Sequence, residues 1–172
     1  MKIVLLGYMA SGKSTIGRGF AEKKQISFID LDDYIEKKEE KTISEIFEER
    51  GEIYFRKQEH KYLKELLDKK ESFVLSLGGG TPCYAGNMDV LSSHEEVSSV
   101  YLKTSIKTIV DRLMNEKSKR PLVARLKEEA LSEFVAKHLF ERSYYYNQAN
   151  YMIVLDNKSV DDIIDDLQVI LS

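Results

Sequence analysis

Five short apolar segments are spaced along the chain, and helical patterns lie between them. Several segments are apolar at every position rather than at every second one, which is typical of strands covered on both faces in a parallel sheet. This order predicts an α/β fold of three layers, helix-sheet-helix, around a five-stranded parallel sheet. The predicted strands are Ile3–Leu6, Phe28–Leu31, Phe73–Leu77, Val100–Leu102 and Tyr151–Leu155.

Two of the intervening stretches carry clear helix signals. Ser105 can cap a helix whose apolar residues recur at helical spacing, and Ser159 can cap the last helix of the chain. Asp161 and Asp162 fall in the first turn of that last helix, where the helix dipole favours negative charge. We predict that both helices are structural. Their apolar stripes are Ile106, Ile109, Val110, Leu113 and Met114, and Val160, Ile163, Ile164, Leu167, Ile170 and Leu171.

Length and composition narrow the class of protein. A chain of 172 residues with 42% hydrophobic residues can bury one substantial core, so we expect a single domain over residues 1–172. The net charge of −3 gives no electrostatic reason to expect DNA or RNA as a partner. The single cysteine, Cys83, cannot form an intrachain disulfide, and no apolar run approaches the length of a membrane span. We expect a cytoplasmic monomer that binds neither nucleic acid nor membrane.

The candidate chemistry begins directly after the first strand, with a match to the phosphate-binding pattern G-x-x-x-x-G-K-[ST]. Its two glycines let backbone N–H groups point at phosphate oxygens, beside a helix N-terminus that attracts anions. Lys13 is suited to the terminal phosphates and Ser14 to Mg²⁺. The alternative is an ordinary turn, but the strand before it and the predicted helix over Ser14–Lys23 favour a phosphate site. The predicted nucleotide-binding residues here are Gly7, Ala10, Ser11, Gly12, Lys13, Ser14 and Thr15.

Carboxylates follow the second predicted strand. In an open α/β sheet ligands gather at the carboxyl ends of the strands, so Asp30 and Asp32 are expected close to the phosphates. Being two residues apart, they can face the same side of an extended segment, one near the metal and one near the hydroxyl that attacks the γ-phosphate. The alternative is that Asp32 or Asp33 merely caps a helix over Tyr34–Glu39.

A predicted helix over Ile53–Leu67 carries an acidic residue within its apolar stripe. Glu59 lies inside this stripe, and Arg56 stands three residues earlier, within pairing distance. A charge that points inward is unfavourable unless it is paired or liganded. An arginine held by a glutamate presents a rigid fork for a small carboxylate. The alternative is a solvated ion pair.

Two further segments are candidates for ligand contacts. Gly78, Gly79 and Gly80 follow the third predicted strand, and they either let the backbone approach a ligand or form a plain flexible turn. A basic segment without regular periodicity predicts a mobile lid over about residues 115–127. Arg120 is the lid residue that we expect on the transferring phosphoryl group, whereas surface solvation explains most of the lysines.

Taken together, these residues resemble the shikimate kinase family, of the nucleoside-monophosphate-kinase-like group, over nearly the whole chain. Many NTPases share the glycine loop, so the specific part of the resemblance is the combination of the other motifs. The resemblance implies transfer of the γ-phosphate of ATP, with Mg²⁺, to the 3-hydroxyl of shikimate in aromatic amino-acid biosynthesis. The specific motifs are Asp30-x-Asp32, Gly51-Glu52 followed by Phe55-Arg56 and Glu59, Gly78-Gly79-Gly80, and Arg120-Pro121-Leu122.

The resemblance also implies roles for individual residues. Lys13, Asp32 and Arg120 are implied to be catalytic, with Asp32 as the candidate base. Ser14 and Asp30 are implied to hold Mg²⁺. Arg112 is similar to the arginine on the adenine side of the family's site, and Arg120 also belongs to the ATP site. The substrate residues are Asp32, Arg56, Glu59, Gly78, Gly79, Gly80 and Asn147.

Two positions depart from the family pattern. Ala10 stands where the family usually has a glycine, which the core phosphate-binding pattern does not require. Asn147 stands where the family commonly has an arginine for the substrate carboxylate, and Tyr144 replaces a usual proline. We therefore expect Arg56 to bind most of the substrate carboxylate, with Arg142 as the nearest cation that could replace the absent arginine.

Two other functions are compatible with parts of the pattern. A gluconate kinase or a nucleoside monophosphate kinase would share the architecture, but Arg56, Glu59 and the triple glycine favour a small polyhydroxylated acid. A catalytically silent module that senses ATP would share the glycine loop. The presence of Lys13, Ser14 and Asp32, together with the lid arginine, favours an active kinase over such a module.

Overall fold

The computed structural model describes residues 1–116 and 127–172. The predicted lid arginine, Arg120, lies outside the described residues, as do its neighbours from 117 to 126. The elements in chain order are β1 (Lys2–Leu6), α1 (Lys13–Lys24), β2 (Ser27–Asp30), α2 (Leu31–Glu39), α3 (Ile43–Leu67), β3 (Phe73–Ser76), a 3₁₀ turn (Thr81–Cys83), α4 (Asn87–Ser93), β4 (Val97–Lys103), α5 (Ile106–Asn115), α6 (Glu128–Tyr146), β5 (Tyr151–Val154) and α7 (Val160–Ile170).

Within the described residues the sheet has five parallel strands in the order β2-β3-β1-β4-β5. The predicted three-layer α/β architecture is therefore confirmed. The central strand is β1, all of whose residues are buried, and Val4 aligns with Leu75 of β3 and Ser99 of β4. β4 begins at Val97 rather than at the predicted Val100. Its polar Ser99 interrupts the apolar run, and this buried residue donates hydrogen bonds to Asn150 Oδ1.

Helices cover both faces of the sheet. On one face Ile3 and Leu5 of β1 pack against α1 and α7, and on the other Val4 and Leu6 pack among residues of α2 to α6. This alternation along β1 follows from the opposite directions of successive side chains in a strand. Among the described residues, none of the helices is both long enough and apolar enough to cross a lipid bilayer.

Local capping signals fix several helix ends as predicted. Ser105 accepts a hydrogen bond from the Thr108 N–H at the start of α5. Ser159 and Asp162 form a reciprocal capping box at the start of α7. α3 is longer than the predicted helix over Ile53–Leu67, because a preceding helical segment joins it across a kink at Gly51, whose φ is 84°.

Two glycines of α1 give a test of how closely this helix packs. A Cβ at Gly17 would lie 2.5 Å from the Phe28 ring and 3.2 Å from Leu5, whereas at Gly19 it would meet only the flexible end of Ile164, at 2.6 Å. We expect Gly17→Ala to lower the free energy of unfolding by about 1–3 kcal/mol because it overpacks the sheet face. Gly19→Ala, the matched control, should be neutral or stabilising by up to about 1 kcal/mol. Urea unfolding followed by circular dichroism measures both, and equal stability of the two variants would contradict this packing.

Candidate active site

A cavity of about 530 Å³ opens at the carboxyl edge of the sheet, beyond the ends of β1, β2 and β3. This is where an open α/β sheet is expected to bind ligands. The cavity brings together many of the residues that the sequence analysis predicts to be functional. Those lining it are Ala10, Ser11, Gly12, Lys13, Ser14, Thr15, Asp30, Asp32, Gly78, Gly79 and Arg112.

The phosphate-binding loop joins β1 to α1 and requires unusual backbone angles. Gly7 has φ 153° and a Cβ there would lie 2.7 Å from the Leu102 carbonyl oxygen, so a side chain is excluded. Gly12, at the N-cap of α1, has φ 93°. Ala10 has φ 61°, a conformation that glycine adopts without strain and that costs alanine on the order of 1 kcal/mol. Its carbonyl oxygen accepts a 2.8 Å hydrogen bond from Arg112, which ties α5 to the loop.

Lys13 is the first residue of α1 and is almost completely buried. Its ammonium donates hydrogen bonds to the carbonyl oxygens of Gly7, at 2.7 Å, and Tyr8, at 2.9 Å. The charge is thus held inside the curve of the loop, at the positive end of a helix dipole. Both features favour an anion at this point.

Asp30 and Asp32 occupy different elements, so the predicted extended segment is wrong. β2 ends at Asp30, which accepts a hydrogen bond from the Asp33 N–H and is itself the N-cap of α2. Asp32 and Asp33 lie in the first turn of α2, so the alternative that one of them is the cap is wrong as well. The helix starts earlier than predicted because Asp30, rather than a later aspartate, is its N-cap, and its first residue Leu31 is fully buried.

The Ser14 hydroxyl donates a 3.1 Å hydrogen bond to Asp30 Oδ2. A hydroxyl and a carboxylate side by side are the hard oxygen donors that Mg²⁺ takes, usually alongside waters and phosphate oxygens. The two residues therefore fit the predicted metal site.

Asp32 lies beside the triple glycine, and its Oδ1 would be 3.3 Å from a Cβ at Gly78. Burial raises the pKa of Asp32 from its ordinary value of 3.8 to about 6, and the negative charges of Asp30 and Glu59 add to the rise, against the opposing charge of Lys13. A carboxylate with a pKa near 6 is ionised at neutral pH and still basic enough to take a proton from a hydroxyl.

Arg56 and Glu59 form the ion pair that their spacing predicts, with Nη1 donating to Glu59 Oε1 at 2.9 Å. Glu59 is only 1% exposed, so this is not a solvated surface pair. Arg56 Nη2 lies against the triple glycine, because a Cβ at Gly80 would be 2.9 Å away. The glycines are therefore a close-packed surface for charged side chains rather than a plain flexible turn.

The sequence predicts a substrate contact at Asn147 and names Arg142 as the cation that could replace the absent arginine, and the structure brings Arg142 to the glycines. Asn147 is exposed and follows the last residue of α6. Arg142, one turn earlier on α6, has its Nη1 3.2 Å from where a Cβ of Gly79 would be. Tyr146 donates a 2.5 Å hydrogen bond to the Gly79 carbonyl oxygen and fixes the end of α6 there.

Some residues of the site carry no signal in the sequence. Lys158 lines the cavity from the loop between β5 and α7. Its ion pair with Asp166 explains the presence of a lysine there equally well. Thr81 and Tyr84 contact the Arg56–Glu59 pair from the segment after the triple glycine. Neither residue type is diagnostic of a site, and only the tertiary contacts reveal their position.

The raised pKa of Asp32 predicts a cost in stability. The higher pKa in the folded state means that folding favours the protonated form of Asp32. The contribution of this group to the free energy of unfolding is therefore fully present below pH 3.8 and is lost as pH rises through about 6. Asp32→Asn should therefore raise the free energy of unfolding at pH 8 by an amount on the order of 2 kcal/mol. Below about pH 4 the two proteins should be equally stable. Urea titrations at both pH values test this, and a variant less stable than the parent at pH 8 would show that the ionised carboxylate is stabilising.

Comparison with known proteins identifies the family of this chain. The shikimate kinase family model matches residues 9–171. The shikimate kinase of Flavobacterium johnsoniae is 52% identical over 171 residues, which is 99% of each chain. The crystal structure of shikimate kinase from Bacteroides thetaiotaomicron superposes with a TM-score of 0.91 at 35% identity, over 99% of this chain and 98% of that one.

A second solved structure is also similar. Shikimate kinase from Acinetobacter baumannii, solved in complex with shikimate, gives a TM-score of 0.85 at 34% identity and covers 99% of this chain and 92% of that one. Both the family model and the relatives span nearly the whole chain, as the resemblance in the sequence predicts. The chain belongs to the shikimate kinase family.

Proposed function

We propose that this protein transfers the γ-phosphate of ATP to the 3-hydroxyl of shikimate, giving shikimate 3-phosphate and ADP. The observation that carries the proposal is the meeting of three groups at one edge of the sheet. Lys13 of the phosphate loop, the basic carboxylate Asp32, and the two arginines Arg56 and Arg142 all converge around the triple glycine. A phosphate donor, a hydroxyl and a carboxylate are the three chemical features that this set fits.

The phosphate side of the site binds and stabilises charge. The loop N–H groups and Lys13 suit the phosphates, and Arg112, which lines the same cavity, suits the adenine side. Ser14 and Asp30 would hold Mg²⁺, which when bound neutralises charge on the phosphates. Arg120 stays a prediction from the sequence for the transferring group.

On the acceptor side Asp32 is the base that we propose. Its Oδ1 lies beside Gly78, and Asp32 lines the same cavity as Lys13. There it orients the attacking hydroxyl and takes its proton as the bond to phosphorus forms. Transfer of this kind depends chiefly on positioning and on charge stabilisation, so correct placement of the hydroxyl matters as much as the basicity of Asp32.

The substrate carboxylate is proposed to bind between Arg56 and Arg142, which approach the neighbouring glycines Gly80 and Gly79. Two guanidinium groups supply charge-assisted hydrogen bonds that a neutral amide cannot match. Arg142 thus supplies the second cation in place of the arginine that is absent at position 147, and Asn147 offers a neutral hydrogen bond at most. We also propose a monomer in the cytoplasm, and the lone Cys83, which cannot form an intrachain disulfide, supports that location.

A substrate panel tests the proposed function. ADP release should depend on shikimate and be far slower with quinate, gluconate, AMP or CMP, because those compounds do not match the carboxylate and hydroxyl positions together. A coupled assay with each compound at saturating ATP gives kcat/KM for each. Faster turnover of gluconate or of a nucleotide than of shikimate would overturn the proposal, and no turnover of any compound would favour an ATP-sensing module.

Three alanine variants test how the carboxylate is bound. Arg56→Ala and Arg142→Ala should each cost about 2–3 kcal/mol in kcat/KM for shikimate, because each loses a hydrogen bond to a charged group. Asn147→Ala, directly after the helix that carries Arg142, is the matched control and should cost less than about 1 kcal/mol. Steady-state kinetics with shikimate as the varied substrate measures all three. A loss at Asn147 that exceeds the loss at Arg142 would return the second carboxylate contact to Asn147.

A further inference from the structure

The guanidinium group of Arg56 is held from several directions by neighbouring residues. Glu59 accepts from Nη1, and Nη2 lies against Gly80. The ring of Tyr84 covers one face, with the ring centre 3.9 Å from the Arg56 Cζ. Stacking on the face of a guanidinium leaves its N–H edge available, which is the edge that a carboxylate needs.

Thr81 completes the ion pair from the other side. Its hydroxyl donates a 2.8 Å hydrogen bond to Glu59 Oε2, while Oε1 accepts from Arg56. Thr81 is fully buried and Glu59 nearly so. Without the hydroxyl, one buried carboxylate oxygen would lose its donor, which is unfavourable enough to make Glu59 rotate. The orientation of Arg56 therefore depends on Thr81 through Glu59.

The segment that carries Thr81 and Tyr84 is hydrogen-bonded to α3. Asn87 donates from Nδ2 to the Thr81 carbonyl oxygen at 2.8 Å, and its Oδ1 lies 2.7 Å from His60 Nδ1. Because an amide oxygen can only accept, His60 carries the proton on Nδ1. His60 is adjacent to Glu59 in α3, so the chain is tied to the helix one residue beyond the ion pair.

The position of Tyr84 is set by the backbone that follows it. Ala85 and Gly86 have φ of 52° and 67°, so two successive left-handed residues turn the chain between Tyr84 and α4. Tyr84 nevertheless stays 39% exposed. An aromatic ring that served only the core would be buried further, whereas this ring lies over the guanidinium of Arg56.

We propose that Thr81 and Tyr84 are positioning residues, which hold Arg56 in the orientation that binds the substrate carboxylate. The inference rests on the proposed function. Neither residue is assigned contact with the substrate, so both act through Arg56. Their loss should weaken binding of shikimate through its carboxylate without changing the phosphoryl-transfer step or the binding of ATP.

The test compares the wild type, Thr81→Val, Thr81→Ser, Tyr84→Leu and Tyr84→Phe. Thr81→Val should raise KM for shikimate about tenfold and Tyr84→Leu about fivefold, with kcat and KM for ATP unchanged. Thr81→Ser restores the hydroxyl and Tyr84→Phe restores the stacked ring, so both should stay within about twofold of the wild type. Phe140→Leu also removes an aromatic ring, from a residue that is 85% exposed. It is the control for any general effect of losing an aromatic side chain.

A substrate without the negative charge separates positioning from structural damage. With the methyl ester of shikimate, the wild type, Thr81→Val and Tyr84→Leu should have the same kcat/KM, because Arg56 then has no carboxylate to bind. An unchanged KM for shikimate in both variants would overturn the inference, and so would an equal loss on shikimate and on the ester. If Thr81→Val fails to fold by thermal melting, the Tyr84→Leu and Tyr84→Phe pair decides. A wild type that does not phosphorylate shikimate would overturn the proposed function and this inference with it.

Discussion

Compensation of buried charge at one edge of the sheet is the constraint on which the site depends. Lys13 is held by carbonyl oxygens of its own loop, and Glu59 is matched on one oxygen by Arg56 and on the other by Thr81. Asp32 is different, because burial and two neighbouring carboxylates raise its pKa to about 6. The charges of Lys13 and Glu59 are therefore compensated by hydrogen bonds and an ion pair. The ionised form of Asp32 is left at a higher free energy, and Asp32 is the carboxylate proposed to take a proton.

Much of the fold could be predicted because its signals are local. The phosphate-binding pattern, the caps at Ser105 and Ser159, and the pairing of Arg56 with Glu59 each lie within a few residues of sequence, and the structure contains all of these local arrangements. The apolar runs located the strands for a similar reason. A parallel strand buried on both faces has to be apolar at successive positions, and few other elements of that length have this pattern.

The sequence is less informative where one apolar residue fits two kinds of element, or where a distant contact determines which side chain reaches the site. Leu31 fits both the continuation of a strand and the first buried position of a helix, so the pattern could not show that Asp30 and Asp32 fall in different elements. Arg142 reaches Gly79 only because α6 returns to the sheet edge. α6 carries aromatic residues on exposed and buried faces alike, such as Phe140 and Tyr146, and so shows no clear stripe from which its buried side could be predicted.

The second glycine of the triple glycine shows why the two halves of the site have to be built together. A Cβ at Gly79 would lie 3.2 Å from Arg142 on the acceptor side and 3.5 Å from the Met9 backbone nitrogen on the phosphate side. The Gly79 carbonyl oxygen also accepts the Tyr146 hydroxyl, and Arg142 lies over the ring of Tyr8 in the phosphate loop. A side chain at position 79 would therefore press on the Arg142 guanidinium, which lies where α6 meets the phosphate loop. Since transfer requires the hydroxyl and the phosphate at near-contact distance, a shift of about 1 Å here would reduce the rate without removing any catalytic group.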